Sequence, residues 1–234
     1  MRHNTLIRTF LASSAALLVA IAAGAATGIK PDPSFPIGSN AYGKTFGQWS
    51  AQWWTWAIET PITTDGHPFF DATGALVGTN QSGEVWFVAA PTGAAVERSY
   101  TIPRGTALFV AQTDAECSNL EPDPFFGGDA AEQSACATVW GNYMEDVFFE
   151  IDGVPIANMA IHRVQSPQFS FTAPEVNILG VGAGPGTAVA DGYYVFLRPL
   201  SVGEHIVHWG GQFVGTPFGD FGADVTDHIT VAPR

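Results

Sequence analysis

The chain has 234 residues, with 22 acidic against 9 basic side chains and a formal net charge of -13 at pH 7, which argues against nucleic acid as a partner. Apolar residues make up 46% of it, too many for a disordered chain. The 26 glycines and 16 prolines suit many short strands joined by tight turns.

Residues 1–26 read as a secretory signal peptide, because Arg2, His3 and Arg8 precede an uncharged run of Leu, Ala, Val and Ile that ends in small residues. Ala23 and Ala25, or Gly24 and Ala26, supply the small residues for cleavage after Ala25 or Ala26. An uncleaved anchor is the alternative, but the apolar stretch from Phe10 to Ala23 is short for a hydrocarbon core of about 30 Å. No later segment is apolar for long enough to span a bilayer. The mature chain is therefore expected to be secreted or periplasmic, not transmembrane, and to keep only 7 of the 9 basic residues once Arg2 and Arg8 are removed.

Residues 27–43, rich in Gly, Pro and Ser, are expected to be an extended lead-in to a single β-sandwich domain over 44–234. That domain opens with KTFGQWSAQWWTWAIETP, which holds four of the seven tryptophans. At helical spacing Phe46, Trp49, Trp53, Trp56 and Ala57 share one side with Trp54 and Ile58 on its shoulder, while Gln48, Gln52, Thr55 and Glu59 gather opposite. Thr45 and Gln48 form a capping box and Pro61 stops the helix. Four indoles of roughly 150–250 Å² each demand a large docking surface, so this helix is expected to pack on a sheet.

A long loop follows Pro61, with Asp65-Gly66 and Gln81-Ser82-Gly83 as turns. Strands are expected at 84–90, 95–102 and 106–112. The segment from Thr113 to Cys136 is polar enough to predict a surface loop. Cys117 and Cys136, the only cysteines, predict one disulfide in an exported chain. A short helix is expected at 134–144, then a hairpin of 147–151 and 154–164 turning at Asp152-Gly153, a strand at 168–172, a flexible loop at 179–186, and strands at 193–198, 204–209 and 225–231. About nine strands with one or two helices predict an all-β fold: an antiparallel β-sandwich, jelly-roll-like, with the Trp-rich helix packed on it.

The runs Trp49-Ser50-Ala51-Gln52-Trp53-Trp54-Thr55-Trp56, Gln81-Ser82-Gly83-Glu84-Val85-Trp86-Phe87, Arg163-Val164-Gln165-Ser166-Pro167 and Asp191-Gly192-Tyr193 are similar to those of a group of uncharacterised exported bacterial proteins. The match covers roughly residues 42–211. The resemblance implies secretion and a shared fold, and it transfers no catalytic residue.

Chemistry is less sharply written. No G-x-S-x-G elbow, P-loop or H-E-x-x-H occurs. His205 and His208 lie three apart in a stretch that reads as a strand, so they face oppositely and do not suit one metal ion. Asp114, Glu116, Glu121, Asp123 and Asp129 crowd around Cys117; a solvated acidic face is the plainer reading of this set, and a hard cation such as calcium the sharper one. No other cofactor is indicated. The long loop contributes Asp65, His67 and Asp71, and two Gly-rich segments, Pro124-Phe125-Phe126-Gly127 and Pro217-Phe218-Gly219-Asp220-Phe221, place aromatics beside acids. Asp65, His67, Asp71, Phe218, Asp220 and Phe221 are therefore the candidate ligand residues. Sugars bind to aromatic faces flanked by acids and amides, although rings plugging the core beneath loops would read the same way. Two functions stand: a non-catalytic exported module binding a glycan or another envelope component, and a small hydrolase or lyase acting on a polysaccharide.

Overall fold

The computed structural model describes residues 32–93 and 95–233, all within one compact unit; the expected signal peptide and the start of the lead-in lie outside them. Two α-helices, α1 (Phe46–Glu59) and α2 (Ala130–Gly141), accompany ten strands. In chain order these are β1 (Val85–Val88), β2 (Val96–Pro103), β3 (Ala107–Ser118), β4 (Met144–Ile151) and β5 (Val154–Pro155). They continue with β6 (Arg163–Gln165), β7 (Phe169–Ala173), β8 (Gly184–Leu197), β9 (Gly203–Phe213) and β10 (Phe221–Ala232).

The strands form two five-stranded sheets, β1-β3-β8-β6 with β7 also on β8, and β2-β10-β9-β4-β5. The mostly β sandwich with a Trp-rich helix on it is as expected. Both sheets are mixed, however, since β1 runs parallel to β3 and β2 parallel to β10. The jelly-roll description gives way to the plainer one of a two-sheet sandwich.

Helix α1 begins where its cap dictates. The Thr45 hydroxyl accepts from the Gln48 N–H at 3.2 Å, and the Gln48 side chain accepts from the Thr45 N–H at 2.9 Å. Its apolar side covers the first sheet: Phe46, Trp49 and Trp53 join Phe109, Tyr194 and Phe196 of β3 and β8 in one buried cluster. The opposite face of the same strands, Leu108, Val110, Val195 and Leu197, meets Phe149, Trp209, Val225 and Ile229 of the second sheet. The molecule is thus layered as helix, sheet, sheet, and β3 and β8 are buried on both faces.

Three of the four α1 indoles donate to a carbonyl: Trp49 to Ala41, Trp53 to Val88 and Trp56 to Thr79, at 2.9–3.1 Å. Burying those rings therefore leaves no polar atom wanting.

A third cluster lies where α2 packs on β3 and β8. There Trp140, Ala137 and Phe213 surround Cys117, which is bonded to Cys136 of α2 as the sequence predicted. Helix α2 starts earlier than expected, at Ala130, because the Asp129 carboxylate caps it by accepting from the Ala131 and Glu132 N–H groups. The hairpin turn at Asp152-Gly153 forms with both residues at positive φ, but β5 is only two residues long. Residues 179–186 are not wholly loop, since β8 begins at Gly184.

The largest correction concerns 113–118, which continue β3 instead of forming a surface loop. These residues pair with β8 throughout, and Thr113, Ala115, Glu116, Cys117 and Ser118 are buried.

Candidate functional site

Strand β3 contains a bulge between Ala111 and Thr113. Ahead of it Phe109 and Ala111 face α1 while Leu108 and Val110 face the second sheet. One extra residue inverts that alternation. Asp114 and Glu116 consequently turn to the α1 side, while Ala115 and Cys117 turn toward α2. Strand β1 covers the neighbouring edge of β3 only as far as Val110, so the stretch carrying both acids lies past the end of that ladder.

A cavity of about 260 Å³ lies there. Its rings come from four parts of the chain: Trp54 of α1, Phe69 of the long loop, Phe125 and Trp140 of the disulfide region, and Phe213 and Phe221 of the second sheet. Asp114, Glu116 and Glu121 supply its acids, and among the described residues no Lys, Arg or His lines it. A void of about 40 Å³ shares Phe69, Thr92, Asp114 and Phe213 with it and continues to Gln112 and Thr113, whose Oε1 and Oγ1 have no hydrogen-bond partner. That void is large enough for an ordered water at those two atoms.

Asp114 ends a hydrogen-bond chain from the helix: Ser50 Oγ donates to Tyr194 Oη at 2.8 Å, and Tyr194 Oη donates to Asp114 Oδ2 at 3.2 Å. Burial pushes the Asp114 carboxyl up to about 7, against the lowering influence of Tyr194 and Trp54. The Trp54 N–H faces this carboxylate without reaching hydrogen-bond geometry, and is the only α1 indole N–H left unsatisfied. Gly192 of β8 stands opposite Asp114, where a Cβ would overlap that of Asp114. The glycine makes room for the acid.

Glu116 is 4% exposed and faces Glu121. Burial, then the neighbouring Glu121 charge, raise Glu116 well above the usual carboxylate range. Burial also raises Glu121, whose Oε2 accepts from Ser118 Oγ at 2.9 Å. No N–H or O–H donor of the described residues reaches Glu116 Oε2.

The six candidate ligand residues separate. His67 is buried, with Nε2 bonded to the Ala57 carbonyl and Nδ1 accepting from the Phe69 N–H. Asp71 accepts from the Thr73, Gly74 and Leu76 N–H groups. Both hold the long loop in shape, and through His67 they place Phe69 in the cavity wall. Asp65 lies exposed in a turn, and Asp220 accepts from the Gly215 N–H of its own loop. Only Phe221 lines the cavity, stacked on Phe213 at 4.8 Å. Phe218, 64% exposed, stacks outside Trp140 at 5.9 Å, and Trp140 stacks in turn on Phe125 at 4.4 Å.

The five acids named for calcium do not gather either. Asp114, Glu116 and Glu121 face the cavity, Asp123 is exposed, and Asp129 caps α2. Among the described residues no three His, Cys, Asp or Glu side chains come together as a metal ion would need. His205 and His208 point apart, His205 to Asp152 and Ser201, and His208 to Asp224.

The cavity thus offers aromatic walls and carboxyl groups, with the unpartnered Trp54 N–H and Glu116 Oε2 buried beside it. Trp54, Phe69, Trp140, Phe125 and Phe213, absent from the candidate list, build it. Trp54 carried no distinguishing mark within a helix of buried tryptophans. The polar run Gln112-Thr113-Asp114, interrupting an otherwise apolar central strand, was the available signal for the acids. Scans against protein-family models, the curated proteins and the solved structures find no match to this chain.

Proposed function

We propose that the protein is an exported module that binds a glycan of the cell envelope or its surroundings, with one sugar ring seated in the cavity beside Asp114. The observation carrying this reading is the cavity's combination of aromatic walls with an unsatisfied Trp54 N–H and an unsatisfied Glu116 oxygen. A sugar stacks its C–H face on rings and needs acceptors and donors for its hydroxyls. At about 260 Å³ the space falls just under the usual range of about 300–1,000 Å³ for small-molecule sites, which suits a single ring. Export is supported by the leader-like composition of residues 1–26 and by the Cys117–Cys136 disulfide, a bond that persists in oxidising compartments.

A second reading, a polysaccharide hydrolase or lyase, draws on Asp114, whose pKa of about 7 suits proton transfer at neutral pH. One experiment separates the two: a glycan array with the purified protein, with every retained glycan then incubated and analysed for products. Binding without products, weakened about tenfold by Phe221→Ala through loss of a stacking face, supports the module. Products lost on Asp114→Asn establish the enzyme instead, and a blank array refutes both.

A further inference from the structure

We infer that the cavity selects a sugar carrying a protonated amine over its neutral counterpart, with the ammonium seated at Glu116 and Glu121. This rests on the glycan reading above and names the chemistry of the sugar. Three acids line the cavity with no Lys, Arg or His among the described residues to oppose them, and none of the three takes part in an ion pair. Glu116 is 96% buried, and no donor of the described residues reaches its Oε2. An unsatisfied buried acceptor costs about 1–3 kcal/mol, and more if it is charged, until a donor reaches it.

A neutral hydroxyl would satisfy that oxygen but would leave the negative charge uncompensated. An ammonium supplies three donors together with the missing charge. The rings of Trp54, Trp140 and Phe125 add attraction for a cation close to their faces. A bare metal ion does not meet the same need, because the oxygens here do not form a ligand set.

The groups facing Glu116 are Glu121 and Asp114, with the Tyr194 and Ser118 hydroxyls and the Trp54 N–H behind them. Every titratable group near it is therefore an acid.

The test is isothermal titration calorimetry of the full chain with three probes, the methyl β-glycosides of glucosamine, glucose and N-acetylglucosamine, plus cyclohexylammonium as a ring without hydroxyls. The glucosaminide is expected to bind about tenfold or more tighter than the glucoside, the scale of one desolvated charge-assisted contact. It is expected to lose that margin in Glu116→Gln while the glucoside keeps its affinity. Glu121→Gln, at a less buried site, serves the same purpose should the first variant not fold. Equal affinities for the three glycosides would overturn the selectivity and leave the glycan reading standing. Cyclohexylammonium binding as tightly as the glucosaminide, with no neutral sugar bound, would overturn the glycan reading and keep the cation site. Four probes without heat would overturn both.

Discussion

Asp114 shows how a single side chain can be set by its surroundings. Its unfolded pKa is near 3.9, whereas in the fold it lies at about 7, so between those values the native state holds more protons than the unfolded chain. The resulting contribution to stability is complete below about pH 4 and is lost as the pH rises through about 7. Glu116 and Glu121, also raised, act in the same sense. Stability measured by urea unfolding should therefore be lower at about pH 8 than at about pH 5. Asp114→Asn should flatten part of that slope, and an unchanged slope would show that the carboxyl does not titrate in this range. The acid itself was visible in the sequence, but its burial was not. A polar run just ahead of a cysteine reads as surface unless a cavity is known to lie beside it.

At the level of elements, α1 and β3 make instructive opposites. Everything that specifies α1 is local: the cap at Thr45, the apolar period and the stop at Pro61 lie within one stretch, so its boundaries were legible. Thr45→Ala should cost about 1 kcal/mol, measured as a lower midpoint of chemical unfolding, because the first-turn Gln48 N–H loses the hydroxyl it donates to. No change in midpoint would mean that tertiary contacts alone hold the helix end. The course of β3 depends on a partner 80 residues away, since Asp114 meets Tyr194 only after the bulge has shifted its face. Alternation read without the bulge places Asp114 against the second sheet. The turn at Asp152-Gly153 was legible for the same reason as α1: its chemistry lies within a few residues.

Over the whole molecule, the class of fold followed from strand spacing and from one helix too aromatic to be left in water. Strand order did not, because the two parallel edge pairs join segments that no local pattern connects. The disulfide was legible from composition alone, and it ties the cavity-bearing end of β3 to α2 across a separation of 19 residues. Loop entropy puts its contribution at about 3 kcal/mol. Urea unfolding with and without reductant measures it: a lower midpoint with a retained β spectrum is expected, and equal midpoints would show that packing around Trp140 suffices. Since Cys117 adjoins Glu116, reduction should also weaken whatever the cavity binds.

Strand β10 carries a consequence for the order in which this chain can be assembled. It sits between β2 and β9, and β2 has no other neighbour in its sheet. Among the described residues the fully buried Arg98 of β2 is ion-paired with Asp227 of β10, 129 residues on, bonded at 2.7 and 3.1 Å. Until β10 arrives, β2 is a strand without a ladder and Arg98 a cation that cannot be desolvated. The second sheet therefore closes from its far end backward, as a late and non-local event. A chain cut before Phe221 would leave the interior of that sheet unmade, however complete the helix and the first sheet were.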